Sequence, residues 1–282
     1  MNNKVWFITG ASKGLGLVLA QTLLSQGYKV AATSRNINSL KAAAGEHPDF
    51  LPLEVDLESE ASIQKAIDQT IAAFGKIDVV VNNAGYGQAG AIEELSASEV
   101  KRNFDVNVFA LLNVTRLVLP HLRAQRSGHI YNISSIAGYT GNFPAWSIYC
   151  ATKFAVSGLT EGLAADVQPF GIHATIVYPG YFRTNFLAAD SMGVPANPIA
   201  AYENVRASLR MHQEEVNGNQ AGDPVKAAEV MIQVAALENP PLHLFLGEDA
   251  YNFANAKIES IEQDLEKYKA LTVSTNIVEA IA

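Results

Sequence analysis

Strand-length apolar runs and helix-period segments take turns along most of this chain, and that alternation leaves few folds open. Runs at residues 5–9, 29–33, 50–55, 77–82, 129–134, 173–178 and 242–246 have the length and composition of buried strands. Between them lie segments with helical spacing. One carries Leu15, Val18, Leu19, Leu23 and Leu24, and others lie near 38–44 and 61–74. A long one runs from a cap at Ser98 to about Pro120, and two more cover 149–166 and 224–237. Strands joined through helices by short connections run parallel, and a parallel sheet needs helices on both faces. The spacing predicts an α/β fold: one doubly wound domain over residues 1–282, with a seven-stranded parallel sheet.

The rhythm breaks after Pro179. Residues 185–222 carry Gly193, Pro195, Pro198 and Gly218 around a helical piece at 202–213, the pattern of an insertion or lid. In a C-terminal extension, residues 248–282, Ile258, Ile261, Leu265 and Tyr268 recur at helical spacing and are expected to pack as an amphipathic helix. With 49% apolar residues the chain can fill a substantial core.

Charge and cysteine content exclude several functions. The 20 Lys and Arg against 28 Asp and Glu leave a net charge of −8 with no basic stripe, so nucleic acid is not an expected partner. Cys150 is the only cysteine, which rules out an internal disulfide and a cysteine-based zinc site, and no metal is expected. No run reaches the ~18 apolar residues of a membrane span, and no signal peptide precedes the first strand. A soluble, cytoplasmic protein is expected.

Between the first strand and first helix, VWFITGASKGLGLVLA places Gly10, Gly14 and Gly16. Glycines there permit a tight turn and let backbone amides approach a pyrophosphate at the helix N-terminus. The spacing is G-x-x-x-G-x-G, unlike the better-known G-x-G-x-x-G fingerprint. An acid about 20 residues on would bind the ribose 2′-hydroxyl of NAD. Here the second strand ends in AATSRN, with Ser34 and Arg35 and no acid. Arg35 offers a planar, permanently charged fork to a 2′-phosphate, and Lys13 could add a second cation. Each alone reads equally as a solvated surface charge; together they favour NADP(H) over NAD(H).

In SIYCATKFAV, Tyr149 and Lys153 stand four apart at what reads as a helix start, so they share one face. A tyrosine near its ordinary pKa of ~10 is a poor acid or base at neutrality, and a nearby ammonium would lower that value. They read either as such a pair or as plain helix surface.

Taken in order, these segments closely resemble the short-chain dehydrogenase/reductase family over roughly residues 4–185. TGASKGLG, with Ser12 and Leu15 inside it, matches the family's TGxxxGxG loop, and NNAG matches its second fingerprint. FDVNVFA supplies the helix asparagine at Asn107, NISS the serine, and YCATK the YxxxK pair. YPG followed by Thr184 resembles the segment that holds the nicotinamide carboxamide, here with Pro179, Gly180 and Phe182. The resemblance implies that Tyr149 exchanges the proton on the substrate oxygen while a hydride moves to or from carbon. Lys153 would tune Tyr149 and bind the nicotinamide ribose, and Asn107 would distort its helix to hold a relay water. Ser135 would bond the substrate oxygen; its rival is Ser134. From Ser135 to Tyr149 is one residue more than the family's usual separation, read as an insertion in NFPAWSI, which favours Ser135. Asp56, Leu57, Asn83, Ala84 and Gly85 would border the adenosine, although Asp56 reads equally as a helix cap.

The substrate is expected to meet Phe143, Trp146, Tyr181 and Phe186 together with Ser135 and Tyr149, with Tyr86, Gln88 and Phe182 nearby and Met192 and Tyr202 as weaker candidates. That set is aromatic and nearly uncharged, which suits a bulky apolar ketone, aldehyde or alcohol. Each could instead be plain core or dimer contact. Family relatives pair commonly through the long helices after the fourth and fifth strands, so a homodimer or homotetramer is expected. The rival readings are a nucleotide-sensing protein without useful turnover and a sugar-nucleotide epimerase or dehydratase.

Overall fold

Alternate residues of the first strand serve opposite sides of a sheet, as a two-residue period requires. Trp6 and Ile8 of β1 (Val5–Ile8) join one buried apolar cluster and Phe7 joins another. The computed structural model describes residues 4–188 and 191–277. Its main sheet adds β2 (Lys29–Ser34), β3 (Phe50–Glu54) and β4 (Val79–Asn82). A two-residue strand, β5 (Gly87–Gln88), precedes β6 (Gly128–Ile133) and β7 (Ile172–Pro179). β8 (Met192–Gly193) pairs with β5, and β9 (His243–Leu246) closes the series.

The seven long strands pair in parallel in the order β3-β2-β1-β4-β6-β7-β9. The order reverses between β1 and β4, and in such sheets the crevice outside the carboxyl ends at that point takes the ligand. One face is covered by α1 (Gly14–Ser25) and, packed against it, α8 (Pro224–Val234), a helix from later in the chain. There Trp6 stacks on Tyr131 with ring centres 6.2 Å apart. The other face is covered by α3 (Glu60–Phe74), α5 (Ala110–Gln125) and α6 (Ser147–Val167). The short α2 (Ile37–Ala44) is capped by Asn36, whose side chain accepts from the amides of Asn38 and Ser39. Among the described residues no helix is long and apolar enough to cross a membrane.

Three local expectations are corrected. The long helix begins two residues earlier than expected, at α4 (Ala97–Phe104), and Ser96 is its cap. Ser96 Oγ accepts from the Glu99 amide (3.3 Å) while the Glu99 carboxylate accepts from the Ser96 amide (2.8 Å), a reciprocal box that Ser98 cannot form. The helix also runs through Pro120 to Gln125. Pro120 and Arg116 are exposed, so the carbonyl that loses its donor faces water, while Val118 and Leu122 hold the turn to the core. Between α4 and α5 the backbone widens into a π-turn over Asp105–Phe109.

The third correction concerns the tail. α9 (Glu248–Val273) buries Ala250 and Ala254 against Ile136 and Phe245, then leaves the body. Ile258, Ile261, Leu265 and Tyr268 are exposed at 41–59% instead of packed. Residues 278–282 of the expected extension lie outside the described residues, as do 189 and 190 of the expected lid.

Candidate active site

The glycine turn after β1 fits against the turn after β4 with no space to spare. A Cβ on Gly10 would stand 2.8 Å from Ala84 Cα, and one on Gly16 would stand 2.4 Å from Asn83 Nδ2. Gly10 and Gly14 have φ of +66° and +61°, left-handed backbone that glycine adopts without strain. The Asn83 side chain donates to the carbonyls of Thr9 (3.0 Å) and Gly10 (2.9 Å), so its role is to tie the two turns together. Gly14 instead faces open space, where a Cβ would meet only Thr184, 3.9 Å away. Lys13, at the N-cap of α1, makes no side-chain cap bond, and the first turn holds no acid. Those amides and the positive end of the helix dipole are thus left for an anion. Lys13 Nζ donates to Ser191 Oγ at 2.6 Å.

A cavity of about 540 Å³ extends from this turn along the carboxyl edge of the sheet. At its polar end lie Ser12, Leu15, Ser34, Arg35, Asp56, Leu57 and Gly85. Asp56 does not cap α3; Ser59 does, accepting from the Ser62 amide, while Asp56 Oδ1 accepts from the Glu58 amide (3.0 Å). Of the residues expected around a cofactor only Gly16 is absent from the wall, because it packs behind the loop. The adenosine-sized end, the uncapped helix and the cleft toward Thr184 fit a dinucleotide.

Midway along the cavity, α6 presents Tyr149 and Lys153 on one face, both buried. The plain-surface reading of this pair is therefore excluded. Lys153 Nζ donates to the Ile133 carbonyl (2.8 Å) and lies 5.8 Å from the Tyr149 ring centre. Burial pushes the Tyr149 phenol above its ordinary value, and a hydrogen bond with Ser135 offsets only part of that. The expected lowering by Lys153 is not seen: loss of water around the phenol dominates, and the lowering that is present comes from Ser135. Burial pulls Lys153 down to about 8, so it still carries its charge at neutrality.

Geometry separates the two serines. Ser134 Oγ points into α6, donating to the Lys153 carbonyl (2.9 Å) and sharing a hydrogen bond with Ser157 (3.1 Å). Ser135 is left beside Tyr149 on the cavity wall. In the stretch between them Ala145 stands at φ +77°, left-handed backbone for a non-glycine residue, and its carbonyl accepts from the Gly90 amide (2.8 Å). Asn107 sits in the π-turn and is 1% exposed, so it is no surface residue. Its amide group donates to the Tyr86 carbonyl and to Thr152 Oγ1 and accepts from the Tyr86 amide, each at 3.0 Å. Asn107 thereby locks the turn after β4 to α6, behind the cavity wall. Gly85 closes over it: a Cβ there would stand 3.0 Å from Asn107 Oδ1 and 3.5 Å from Lys153 Nζ.

The far end of the cavity is aromatic. Phe143, Trp146, Tyr181 and Phe186 line it with Tyr86, Phe182 and Met192. Phe186 and Trp146 stand 5.6 and 5.9 Å from the Tyr149 ring. Two expected contributors are elsewhere. Gln88 turns back on the Ala89 carbonyl (3.3 Å), and the Tyr202 hydroxyl donates to Glu93 (2.5 Å) at the surface. His212 was not anticipated. It lines the cavity with Nδ1 on the Ser208 carbonyl (2.7 Å) and Nε2 on the Tyr181 hydroxyl (2.9 Å). The first bond needs a proton on Nδ1, which leaves Nε2 to accept from Tyr181. The signal that could have found it is spacing: with Val205 and Leu209 it falls on the inner face of α7 (Glu203–Arg210) and the π-turn Met211–Val216 that follows.

That part of the chain is pinned by an ion pair. Glu94 accepts from both Ile199 (2.7 Å) and Ala91 (2.8 Å) amides and from Arg206 Nη2 at 2.7 and 2.5 Å. Burial pushes the Glu94 carboxyl up, but the two amides and Arg206 outweigh it and hold the group below its ordinary value. Its contribution is therefore present above the usual carboxylate range and is lost as pH falls below it. Glu94→Ala is expected to destabilise the chain by about 3 kcal/mol, the low end for breaking a buried pair, because Arg206 keeps some access to water. Urea unfolding at neutral pH measures this, and an unchanged midpoint would show that the pair contributes nothing.

A family model described as short chain dehydrogenase matches residues 4–193. The chain belongs to that family. A short-chain dehydrogenase from Streptomyces avermitilis superposes with a TM-score of 0.87 at 34% identity, covering 97% of this chain and 98% of its own. An oxidoreductase of Botryotinia fuckeliana, BOA17, is 34% identical over 96% of this chain and 99% of its own length. A 3-ketodihydrosphingosine reductase of Bacteroides thetaiotaomicron is 36% identical over 88% of this chain and 89% of its own. Short-chain dehydrogenases bind a nicotinamide cofactor, and solved members hold NADH or NADP. The chain is thus an oxidoreductase acting on a small molecule.

Proposed function

We propose that this protein is an NADP(H)-dependent reductase of bulky apolar ketones or aldehydes, able to run in reverse as an alcohol dehydrogenase. The observation that carries this reading is the junction at Tyr149, where a polar half-cavity ending at Arg35 meets an aromatic one. NADP(H), when bound, supplies or takes up the hydride. Gly10, Gly14 and the first amides of α1 would hold its pyrophosphate, Ser34 and Arg35 its 2′-phosphate, and Pro179, Gly180, Phe182 and Thr184 its nicotinamide end. Tyr149 gives its proton to the carbonyl oxygen in reduction. Ser135 donates to the same oxygen, where negative charge gathers in the transition state. Lys153 keeps a positive charge beside the phenol, and Asn107 holds the wall on which both stand.

Phe143, Trp146 and Phe186 remove water and take the apolar body of the substrate, with residues 185–222 closing over it as a lid. The relative named for 3-ketodihydrosphingosine, a lipid-like ketone, accords with such a pocket. In a homologous ketone series kcat/KM is expected to rise with apolar size, by at most about 1–3 kcal/mol per methylene. NADPH oxidation followed at fixed cofactor measures it. A preference for small, charged or polyhydroxy carbonyl compounds would overturn the substrate assignment.

A further inference from the structure

The exposed part of α9 carries a second message. Ile258, Ile261, Leu265 and Tyr268 follow a three-four spacing that continues to Thr272, the a and d positions of a heptad. They are exposed at 41%, 43%, 59% and 46%. A row of large apolar side chains on a helix that has left its own body is an interaction face. Its charges are mixed: Lys257, Lys267 and Lys269 against Glu259, Glu262, Asp264 and Glu266. That slightly acidic balance disfavours an anionic membrane surface, which needs a basic polar face.

We propose that this stripe pairs with the same stripe of a second copy, as a parallel two-stranded coiled coil. The choice of occupant and direction rests on the flanking charges. With Ile258 at a, the g positions are Lys257, Asp264 and the exposed apolar Leu271, which widens the stripe at its far end, and the charged e positions are Glu262 and Lys269. In a parallel pair each g residue faces the e residue five further along the other helix. Lys257 then meets the partner's Glu262, and Asp264 meets the partner's Lys269, with both contacts repeated by symmetry. In the antiparallel register that overlaps the same core residues, Glu262 falls beside the partner's Glu262 and Asp264 beside the partner's Asp264. Only the parallel arrangement matches every pair. The remaining positions, Glu259, Ser260, Gln263, Glu266, Lys267 and Ala270, face outward and include no large apolar side chain. The helix is already formed and anchored through Ala250 and Ala254, so association does not have to order it.

A single cysteine tests this directly, since Cys150 is buried. In the parallel pair Leu265 lies against the partner's Leu265, so Leu265→Cys should form a covalent dimer under mild oxidation of the full-length protein. Gln263→Cys, on the outer face, should not. Ile261→Asp with Leu265→Asp should lower the mass seen by sedimentation to half that of the wild type, with an unchanged circular dichroism melt. Lys257→Glu should weaken association, and adding Glu262→Lys should restore it. Equal cross-linking at both cysteine positions, an unaltered mass in the double aspartate variant, or tail-dependent binding to phosphatidylserine vesicles by an unpaired chain would overturn the proposal.

Discussion

Tyr149→Phe is expected to lower turnover by at least about 10²-fold while NADPH binding stays close to that of the wild type. The ring would remain packed beside Trp146 and Phe186, so the loss isolates the hydroxyl and its proton. Burial keeps the phenol protonated well past neutrality and brings Lys153 to about 8. The alkaline limb of reduction should accordingly follow the lysine. As pH rises through about 8 the ammonium is lost, and kcat/KM for the carbonyl substrate falls with it. Stopped-flow or steady-state NADPH oxidation across pH 6–10 shows both effects, and titration of NADPH fluorescence gives the binding control. Turnover near wild type in the variant removes Tyr149 from the mechanism.

Arg35→Asp is expected to lower the ratio of kcat/KM for NADPH over NADH by orders of magnitude. The substitution replaces a cation at the polar end of the cavity by a carboxylate. It would repel a 2′-phosphate and offer an acceptor to a 2′-hydroxyl. Arg35 lies in the turn between β2 and α2, and the Asn36 cap that starts α2 is untouched, so the fold should tolerate the change. A wild-type enzyme that already prefers NADH would sink the reading of Ser34 and Arg35.

The architecture was legible because each strand of a doubly wound sheet is apolar on both sides and each helix shows its own period. Asn107 stood out as a poor helix former in the middle of a helix, and the widened turn is what accommodates it. Ser135 was separable from Ser134 only weakly by spacing, since the two are adjacent. The difference lies in which hydroxyl the Lys153 carbonyl captures, a contact between elements far apart in sequence. His212 escaped because a lone histidine in an irregular segment matches no motif; its meaning comes from Tyr181 across the cavity. The tail shows the reverse problem. Its apolar period was plain, but periodicity states that a face wants burial and not which surface buries it.

The π-turn at Asp105–Phe109 also constrains how this chain can change length. Asn103 and Leu122 both face inward and are 19 residues apart, whereas five turns of ideal α-helix take about 18. The surplus residue brings the two ends back into phase. Deleting one residue from the turn would leave about 18, the number five ideal turns require, so an unbroken α-helix would keep its two ends in phase. Asn103 would still face the loop after β4 and Val114, Val118 and Leu122 the core, but the widened turn from which Asn107 reaches Tyr86 and Thr152 would be gone. A single deletion here should therefore spare the core and cost the site, so the surplus residue serves Asn107 and not the packing of the helix.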